Sequence, residues 1–178
     1  MTYNLKRINE VSGGKMMIFT LVNPGSSITK SDISELEKII EYALPQAFID
    51  LYLSHNGGRP NREWWDSSDD YEPISISTFK KIAQTGSLDK KETQYIGGCY
   101  ALMITKHVIP QNMVPFASDQ GGNFFCLDKN TGWVIFYTTD SFQPELAMAL
   151  NHINAQRKLA SSFGEFISGL KSEDEIDL

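Results

Sequence analysis

The sequence predicts a single domain of the α+β class. Its 178 residues suit one domain that buries a sizeable core. Strand-like patterns cluster in the middle of the chain, and helical patterns precede and follow them. Strands and helices do not alternate regularly, as they would in a parallel βαβ sheet, so the α+β class is favoured.

The chain before the first helix is expected to be extended. Residues 1–14 are predicted to form an N-terminal arm or an extra strand, which a Ser-Gly-Gly run ends. Residues 15–22 are apolar, and the turn-forming run Asn-Pro-Gly follows them. This composition predicts a strand or an extended segment that packs on the core.

The first helix has a clear start signal. Thr29 is expected to cap it, and Asp32 stands three residues on, where it can complete a capping box. Ile33, Leu36 and Ile40 then fall on one helical face. The spacing therefore predicts a helix that packs this face against the core.

A second helix is predicted to follow Leu44. The next residue is a proline, which suits the first position of a helix and disfavours α geometry in the residue before it. The apolar stripe of this helix is Phe48, Leu51 and Tyr52. The Asn-Gly-Gly run at residues 56–58, which tolerates left-handed geometry, is expected to end it.

The middle of the chain is predicted to hold a long loop and several short elements. Residues 59–73 are polar, acidic and aromatic, with a proline near each end, which favours a loop. Residues 74–76 alternate like a strand, and residues 79–83 suggest a short helix. Residues 100–105 and 107–109 have the apolar composition of strands.

The clearest strands are residues 114–117, 123–127 and 133–137. Five residues link the last two strands, and Asn130 and Gly132 among them tolerate positive φ. These two strands are therefore expected to form a hairpin.

The last helix is predicted from an apolar face that repeats at helical spacing. That face consists of Leu159, Phe163, Phe166, Ile167 and Leu170. The pattern of residues 141–157 is ambiguous, and no element is predicted there. The main domain is therefore expected to span residues 15–170, and residues 171–178 are expected to be an acidic, solvated tail.

Composition places the chain among globular proteins and disfavours nucleic acid as a partner. Hydrophobic residues make up 41% of the chain, charged residues make up 21%, and the formal net charge is -6. Nucleic-acid phosphates need a basic face, which this balance does not favour. The N-terminal residues lack the apolar core of a secretion signal, and no segment approaches membrane-spanning length. These features predict a cytoplasmic protein with no membrane partner.

The first residues of chemical interest are the two cysteines, Cys99 and Cys126. They lie far apart and outside any CxxC spacing, so they predict neither a disulfide framework nor a zinc site. Apolar or aromatic residues flank both of them. Buried, reduced thiols are expected.

The run from Asp119 to Asn123, with Gln-Gly-Gly between them, could be a metal loop, a phosphate cradle or a tight turn. An EF-hand loop needs glycine at its sixth position and glutamate at its twelfth, where this chain has Phe124 and Asn130. A phosphate loop needs GxxxxGK[ST] and a following helix, and the sequence predicts neither. A turn is favoured, in which Asp119 bonds nearby backbone and the glycines supply uncommon φ values.

The remaining polar residues do not predict chemistry. Asp119 and Asp128 each flank a turn, which is weak support for an acid–base pair. The three histidines lack ligand spacing, and no serine has the strained GxSxG context of a hydrolase nucleophile. We therefore predict no catalytic residue, no metal and no cofactor.

The negative charge is concentrated in two segments. Residues 61–72 carry five acidic side chains and one arginine, and residues 171–178 carry four acidic side chains and one lysine. The first segment also contains large aromatic side chains. One interpretation is that its tryptophans pack inward and anchor a loop. Another is that the segment is an interface, because aromatic anchors surrounded by charge are typical of hot spots and carboxylates attract a basic partner. The candidate partner-binding residues are Glu63, Trp64, Trp65, Asp66, Asp69, Asp70, Tyr71 and Glu72.

Several pieces of the chain, taken in order, resemble the SUKH superfamily, which includes fungal cell-wall assembly regulators and many bacterial immunity proteins. The pieces are the capped helix start at 28–33, the LP…F…L…NGG pattern at 44–58, the ASDxGGNxxCLD pattern at 117–128 and the run SFGEF at 162–166. The resemblance covers roughly residues 15–170, most of one domain.

This resemblance implies a central, largely antiparallel sheet with helices packed against it, and no enzymatic activity. It also implies that residues 56–58 and 119–123 are structural. Bacterial members typically bind and neutralise polymorphic or contact-dependent toxins, often nucleases. The expected partner is therefore a cognate toxin, a basic nuclease domain. A regulatory or scaffold protein without a toxin partner is the alternative, and an unrecognised enzyme or ligand-binding domain is a third hypothesis.

Overall fold

The computed structural model describes residues 10–12, 15–67 and 70–177, with side chains from Ile18 onward. The described helices are α1 (Lys30–Ile40), α2 (Gln46–Ser54), α3 (Ile96–Thr105), α4 (Met148–Asn154) and α5 (Phe163–Gly169). The described strands are β1 (Glu10–Ser12), β2 (Lys15–Met17), β3 (Leu21–Val22), β4 (Arg59–Pro60), β5 (Trp64–Trp65), β6 (Ile74–Ser75), β7 (Thr78–Phe79), β8 (Met113–Ser118), β9 (Phe124–Asp128), β10 (Val134–Tyr137) and β11 (Gln156–Ala160). A short 3-10 helix, Glu173–Glu175, follows α5. The predicted α+β class is confirmed.

The centre of the described fold is a five-stranded antiparallel sheet with the order β11-β10-β9-β8-β7. Its three middle strands, β8, β9 and β10, are buried along nearly their whole length. On β9, Phe125 contacts Phe166 of α5, whereas burial and the nearby Cys99 of α3 raise the pKa of the Cys126 thiol. Because helices cover both faces of the sheet, these strands have continuous apolar sequences without a polar face.

Aromatic rings fill the space between this sheet and the helices α2 and α5. The ring centroid of Phe116, on β8, lies 6.1 Å from that of Phe48, 5.4 Å from that of Phe163 and 5.9 Å from that of Phe166. Phe79 of β7 adds a further ring at 5.7 Å. Tilted and edge-on ring pairs at these distances are the favoured aromatic geometries. This cluster is the core against which the C-terminal part of the chain packs.

The predicted hairpin is confirmed. Strands β9 and β10 pair in continuous register, from Val134 opposite Leu127 to Tyr137 opposite Phe124. In the link between them, Gly132 has a φ of 75°. Glycine adopts this left-handed geometry without the steric cost that a side chain brings.

The start of α1 confirms the predicted capping box and adds a contact to a distant loop. Thr29 N donates to Asp32 Oδ2 at 2.8 Å, and Thr29 Oγ1 accepts from Asp32 N. Asp32 Oδ1 also accepts from Thr85 N at 2.7 Å and from Thr85 Oγ1 at 2.8 Å. These hydrogen bonds, above all those from the backbone of Thr29 and Thr85, lower the pKa of Asp32.

The lowered pKa of Asp32 predicts a pH-dependent part of the free energy of unfolding. A carboxyl whose pKa falls on folding contributes stability above its unfolded pKa, here 3.8, and loses it as the pH falls through the folded value. We expect Asp32→Asn to be less stable than the wild type at about pH 7 and to approach it at about pH 2. Urea unfolding followed by circular dichroism measures the difference in the free energy of unfolding between the two proteins. A difference that stays the same as the pH is lowered would contradict the assigned role of Asp32.

Residues 56–58 do more than end α2. Asn56 is buried, and its Oδ1 accepts from Ile82 N at 2.7 Å. Its Nδ2 donates to the carbonyl oxygens of Ser26 and Ile82, both at 2.9 Å. Gly57 and Gly58 have φ values of 74° and 117°, and a Cβ at either position would collide with neighbouring backbone. These residues therefore join three segments of backbone, which is a structural role.

Residues 100–105 are helical, so the strand predicted there is wrong. Periodicity alone does not separate a short buried helix from a buried strand, and the glycines at 97 and 98 lower the helix propensity of the segment. Packing explains both glycines. A Cβ on Gly98 would lie 2.4 Å from the carbonyl oxygen of Glu92, and one on Gly97 would lie 3.3 Å from side chains of α1.

Three shorter predictions are also wrong. Residues 107–109 form a turn after α3, and residues 79–83 contain the end of β7 and irregular backbone instead of a helix. Leu159 lies in β11, and α5 begins only after Ser162, whose side chain accepts from Glu165 N. In each case the element is too short to establish its own period, so its neighbours in space decide its conformation.

Candidate functional site

The tryptophan pair of the first acidic segment lies in a strand. Strand β5 pairs with β6, which places Trp64 opposite Ser75 and Trp65 opposite Ile74. The prediction of one continuous loop over residues 59–73 is therefore wrong, because β4 and β5 lie inside it. The acidic residues after Trp65 belong to the connection between β5 and β6.

Trp65 anchors β5 to the core. It is 8% exposed, and its ring centroid lies 5.3 Å from that of Phe166 in α5. A Cβ on Gly169 would lie only 2.7 Å from the edge of the indole. The ring therefore sits directly on the α5 backbone, which confirms the interpretation that at least one tryptophan is a structural anchor.

Trp64 joins β5 to the C-terminal segment. Its backbone N donates to Lys171 O at 2.9 Å, and Lys171 N donates to Trp64 O at 2.8 Å. Lys171 Nζ lies 3.5 Å from Asp66 Oδ2. The chain after α5 is thus held against β5 through both main-chain and side-chain contacts.

Arg62 makes the second link between these segments. Its Nε donates to Leu170 O at 2.7 Å across 108 residues of sequence. Its Nη2 donates to Glu175 Oε2 at 2.8 Å, and Ile176 beside it is buried. The guanidinium itself is buried, whereas the Glu175 side chain stays partly exposed. The acidic side chains of the tail are exposed, as predicted, but Arg62 and the buried Ile176 hold this segment against the domain.

The two acidic segments consequently lie next to each other along β5. We use the name acidic face for the described acidic side chains of the two segments that meet at β5. They are Glu63, Asp66, Asp70, Glu72, Glu173, Asp174 and Glu175. The cations beside them are engaged, since Arg62 binds Glu175, Lys171 binds Asp66, and Arg157 contacts Ser67 and Tyr71. The surface keeps a clear excess of negative charge.

Tyr71 is the exposed aromatic residue beside this face. It is 60% exposed, and the guanidinium of Arg157 in β11 lies 4.1 Å from the ring centroid. A guanidinium over an aromatic ring is a favourable cation–π contact. The connection between β5 and β6 is therefore held against the edge strand β11, and Tyr71 stays more than half exposed.

The structure places the predicted partner-binding residues in different environments. Asp70 and Glu72 are exposed like Tyr71, and Glu63 is partly exposed. Trp65 is buried, so a direct contact with a partner is not expected from it. Asp69 lies outside the described residues. Sequence reasoning missed the C-terminal segment as a neighbour of this site, and its only signal was the second concentration of acidic residues.

The run from Asp119 to Asn123 forms the predicted turn. Asn123 N and Nδ2 donate to the two carboxylate oxygens of Asp119, at 2.8 Å and 2.9 Å. Asn123 Oδ1 in turn accepts from Thr139 N at 3.0 Å, which ties the turn to the chain after β10. Gly122 has a φ of 85°. The polar side chains bond one another and nearby backbone, as a structural turn requires.

Asp128 stabilises a second turn at the other end of β9. Its Oδ1 accepts from Asn112 Nδ2 at 2.9 Å and from Asn130 N at 3.0 Å. Its Oδ2 accepts from Thr131 Oγ1 at 2.8 Å. The strand β9 separates this carboxylate from Asp119, so the two do not form an acid–base pair.

The two thiols lie in the core. Cys99 and Cys126 are both free and buried, and burial raises the pKa of each thiol. The prediction of buried, reduced cysteines is confirmed. Among the described residues, no cluster of three or more His, Cys, Asp or Glu side chains is arranged to hold a metal ion. In the same part of the chain, no helix is both long enough and apolar enough to cross a membrane.

Comparison with known proteins adds two findings. Residues 27–169 match the family model described as SMI1 / KNR4 family (SUKH-1). This match contains the five helices and the central sheet, and it stops just before Lys171. The chain is also similar to the SPbeta prophage-derived uncharacterized protein YokK of Bacillus subtilis (strain 168). The two are 25% identical over 156 residues, which covers 82% of this chain and 76% of the relative.

Proposed function

This chain belongs to the SMI1/KNR4 family (SUKH-1), and from that premise we propose that it is an immunity-type binding protein. It binds a cognate polymorphic or contact-dependent toxin and blocks it by covering its surface. The toxin domain is a basic nuclease. The protein acts by surface complementarity in the cytoplasm and performs no chemistry of its own.

One observation supports this proposal above the others: the acidic face is assembled from two segments that are distant in the sequence. A nuclease needs a basic cleft to hold phosphates, and such a cleft is complementary to a dense group of carboxylates. Charge complementarity of this kind accelerates association and discriminates against wrong partners. Tyr71 adds an exposed aromatic side chain, the residue type that most often provides binding energy at an interface.

The rigidity of this surface also supports the proposal. Trp65 fixes β5 on α5, and Arg62 and Lys171 fix the C-terminal segment on β5. A surface that is ordered before binding loses less conformational entropy when the partner arrives. Tight, stoichiometric blocking of an enzyme depends on this pre-organisation.

The identity of the partner is tested by co-purification with the product of the adjacent gene. We expect a stable one-to-one complex, and we expect the partner to be toxic when expressed alone and harmless when expressed with this chain. A partner that co-purifies but is not toxic would favour the alternative, a regulatory or scaffold domain. Failure of any adjacent product to bind would contradict the immunity proposal.

The acidic face is tested by charge reversal at two exposed positions, Asp70→Lys and Glu72→Lys together. We expect the association rate with the partner to fall about tenfold at low salt, and we expect the remaining rate to depend less on salt, because steering is electrostatic. Stopped-flow mixing over a range of ionic strength measures both effects.

The matched control changes the net charge equally at another site. Asp140→Lys and Glu145→Lys alter two exposed acids between β10 and α4, outside the acidic face. This double variant is expected to associate at nearly the wild-type rate. Equal slowing by the two double variants would show that only net charge matters and would remove the acidic face from the interface.

A further inference from the structure

A cavity of about 200 Å³ lies between the end of α3, the end of β10 and α4. None of its lining residues belongs to the acidic face. Cavities that hold drug-sized ligands span about 300–1,000 Å³, so this one suits a smaller group, such as one ring or one branched side chain. Its walls are of two kinds, one polar and one apolar.

The centre of the polar wall is a pair of side chains from β10 and α4. Tyr137 Oη and His152 Nδ1 are 2.6 Å apart. Burial raises the pKa of Tyr137 to about 12, and burial together with the nearby His107 lowers the pKa of His152. At neutral pH the phenol therefore keeps its proton and is able to donate it to Nδ1; in that tautomer the imidazole proton lies on Nε2. Within the described residues, His152 Nε2 has no hydrogen-bond partner, so it can donate to a ligand.

His107 contributes a second imidazole from an unusual backbone position. It lies two residues after Thr105, the last residue of α3, and has a φ of 57°, at a position where glycine is the usual residue. His107 N donates to Ile104 O at 3.0 Å and Val108 N donates to Met103 O at 2.9 Å, which closes the helix end. A side chain at left-handed φ is disfavoured, so the structure keeps this imidazole at the cavity at some conformational cost.

The charge of the cavity is one-sided. Lys106, His107 and His152 all line it, so one lysine and two histidines supply the basic groups of its lining. No carboxylate is among the described residues that line it. Two acidic residues, Asp140 and Glu145, lie between β10 and α4 in the sequence. Both are exposed, and neither lines the cavity. The polar wall is therefore suited to an anion.

The apolar part of the lining is open to solvent. Phe142 and Met148 line the cavity, yet they are 50% and 40% exposed. Large apolar side chains exposed at the mouth of a polar cavity are typical of binding sites. They would be covered by the apolar part of a ligand whose charged end reaches the polar wall.

We propose that this cavity binds a small carboxylate with an apolar body. The carboxylate accepts hydrogen bonds from His152 Nε2 and His107 and lies near Lys106, and the apolar body packs between Phe142 and Met148. The same chemistry is offered by a free aromatic or branched acid and by the carboxy-terminal residue of another protein chain. This site goes beyond the proposed toxin-binding function and does not depend on it.

The test uses sodium benzoate as the probe and the histidine ring signals in proton–carbon NMR spectra as the readout. The chain has three histidines, and His55, at the end of α2, is an internal control outside the cavity. We expect benzoate to move the His107 and His152 signals saturably, with a dissociation constant on the order of 1 mM for so small a ligand. The His55 signal is expected to stay in place, and the neutral analogue benzamide is expected to bind much more weakly.

The variant His107→Gly separates binding from folding. Glycine suits the left-handed position, so this variant is expected to keep or slightly raise the melting temperature. Benzoate affinity, followed at His152, is expected to fall about tenfold, because a hydrogen bond to a charged group is lost. The control His55→Gln is expected to bind benzoate as the wild type does.

The source of the carboxylate is distinguished with peptides. A short peptide that ends in phenylalanine with a free carboxylate will bind more tightly than benzoate if a protein terminus is the ligand, and its carboxamide will not. Weaker binding of the free-acid peptide than of benzoate indicates a free small acid. Three results would each overturn the proposal. The first is that no saturable shift occurs up to about 20 mM benzoate. The others are that benzamide causes shifts equal to those of benzoate, or that folded His107→Gly binds benzoate with unchanged affinity.

Discussion

Replacing Trp65 with alanine is expected to lower the free energy of unfolding by about 4 kcal/mol. This value is the middle of the range observed when a buried tryptophan in a packed core is replaced by alanine. The indole is buried between β5 and the α5 backbone, and its closest ring neighbour is Phe166. Alanine would leave a cavity at this junction, since the surrounding helices relax only partly. Urea unfolding followed by circular dichroism measures the loss without relying on tryptophan fluorescence.

The matched control is the same substitution at Trp133, which is 37% exposed and has Lys158 Nζ 3.7 Å from its ring centroid. An exposed cation–π contact contributes about 0.5–1 kcal/mol, so Trp133→Ala is expected to cost far less than Trp65→Ala. The buried Nε1 of Trp65 has no hydrogen-bond partner among the described residues. Trp65→Phe should therefore lose only part of the packing and no hydrogen bond. Equal losses for Trp65→Ala and Trp133→Ala would contradict the anchor role.

Removing the Arg62 side chain is expected to have the second largest effect. Arg62→Gln breaks the hydrogen bond to Leu170 O and the ion pair with Glu175. Breaking a buried ion pair by removing one partner costs about 3–5 kcal/mol. We expect Arg62→Gln to lower the free energy of unfolding by about 3 kcal/mol, the lower end of this range. The Glu175 carboxylate stays partly solvated, so leaving it without its partner costs less free energy than leaving a buried carboxylate unpaired. Hydrogen exchange is expected to show faster exchange in residues 172–177.

The control for Arg62 is a second ion pair of the acidic face. Lys171→Gln breaks the contact with Asp66 at 3.5 Å, where both side chains are partly exposed. Exposed pairs contribute about 0–1 kcal/mol, so this change should alter stability and exchange only slightly. If Lys171→Gln were as damaging as Arg62→Gln, burial of the guanidinium would not be the reason for the effect.

The two variants also connect the fold to the proposed function. The acidic face depends on the contact of β5 with the C-terminal segment, so Arg62→Gln is expected to weaken partner binding even though a cation leaves an acidic surface. A purely local electrostatic account predicts the reverse, since removal of a positive charge would strengthen attraction to a basic partner. The sign of the change in affinity therefore separates pre-organisation from net charge.

Local signals predicted the elements whose ends carry their own chemistry. Thr29 and Asp32 mark the start of α1, Pro45 marks the start of α2, and Gly132 marks the β9–β10 hairpin. Each of these signals acts through nearest neighbours in the chain, either by satisfying free backbone groups or by allowing a particular φ. These local signals therefore do not depend on how the rest of the chain packs.

Elements that depend on packing were not predictable in the same way. The helix α3 contains two adjacent glycines and an apolar sequence without a polar face, so its period is hidden. Its glycines are needed because α1 and the backbone of Glu92 approach closely, and these contacts exist only in the folded chain. The strand β11, which contains Leu159, also depends on packing. The spacing of Leu159 from the apolar residues of α5 fits a helix, but pairing with β10 places this segment in the sheet.

For the candidate site, composition was sufficient to find the charge but not its arrangement. The acidic and aromatic content of residues 61–72 is visible in the sequence. The sequence does not show which of the two tryptophans is buried. The burial of Trp65 depends on the strand pairing of β5 and on the space that Gly169 leaves for its ring. The cavity beside His152 carried no sequence signal, since its walls come from three separate elements.

The sequence by itself determined the capped start of α1, the central hairpin, the two structural turns at Asp119 and Asp128, and the two concentrations of negative charge. Only the tertiary structure decided that these two concentrations share one surface. The contacts that join them run from Trp64 and Arg62 to the main chain at Lys171 and Leu170. Main-chain donors and acceptors are the same in every residue, so a contact made through them leaves no pattern in the sequence and is specified by the packing of the whole fold.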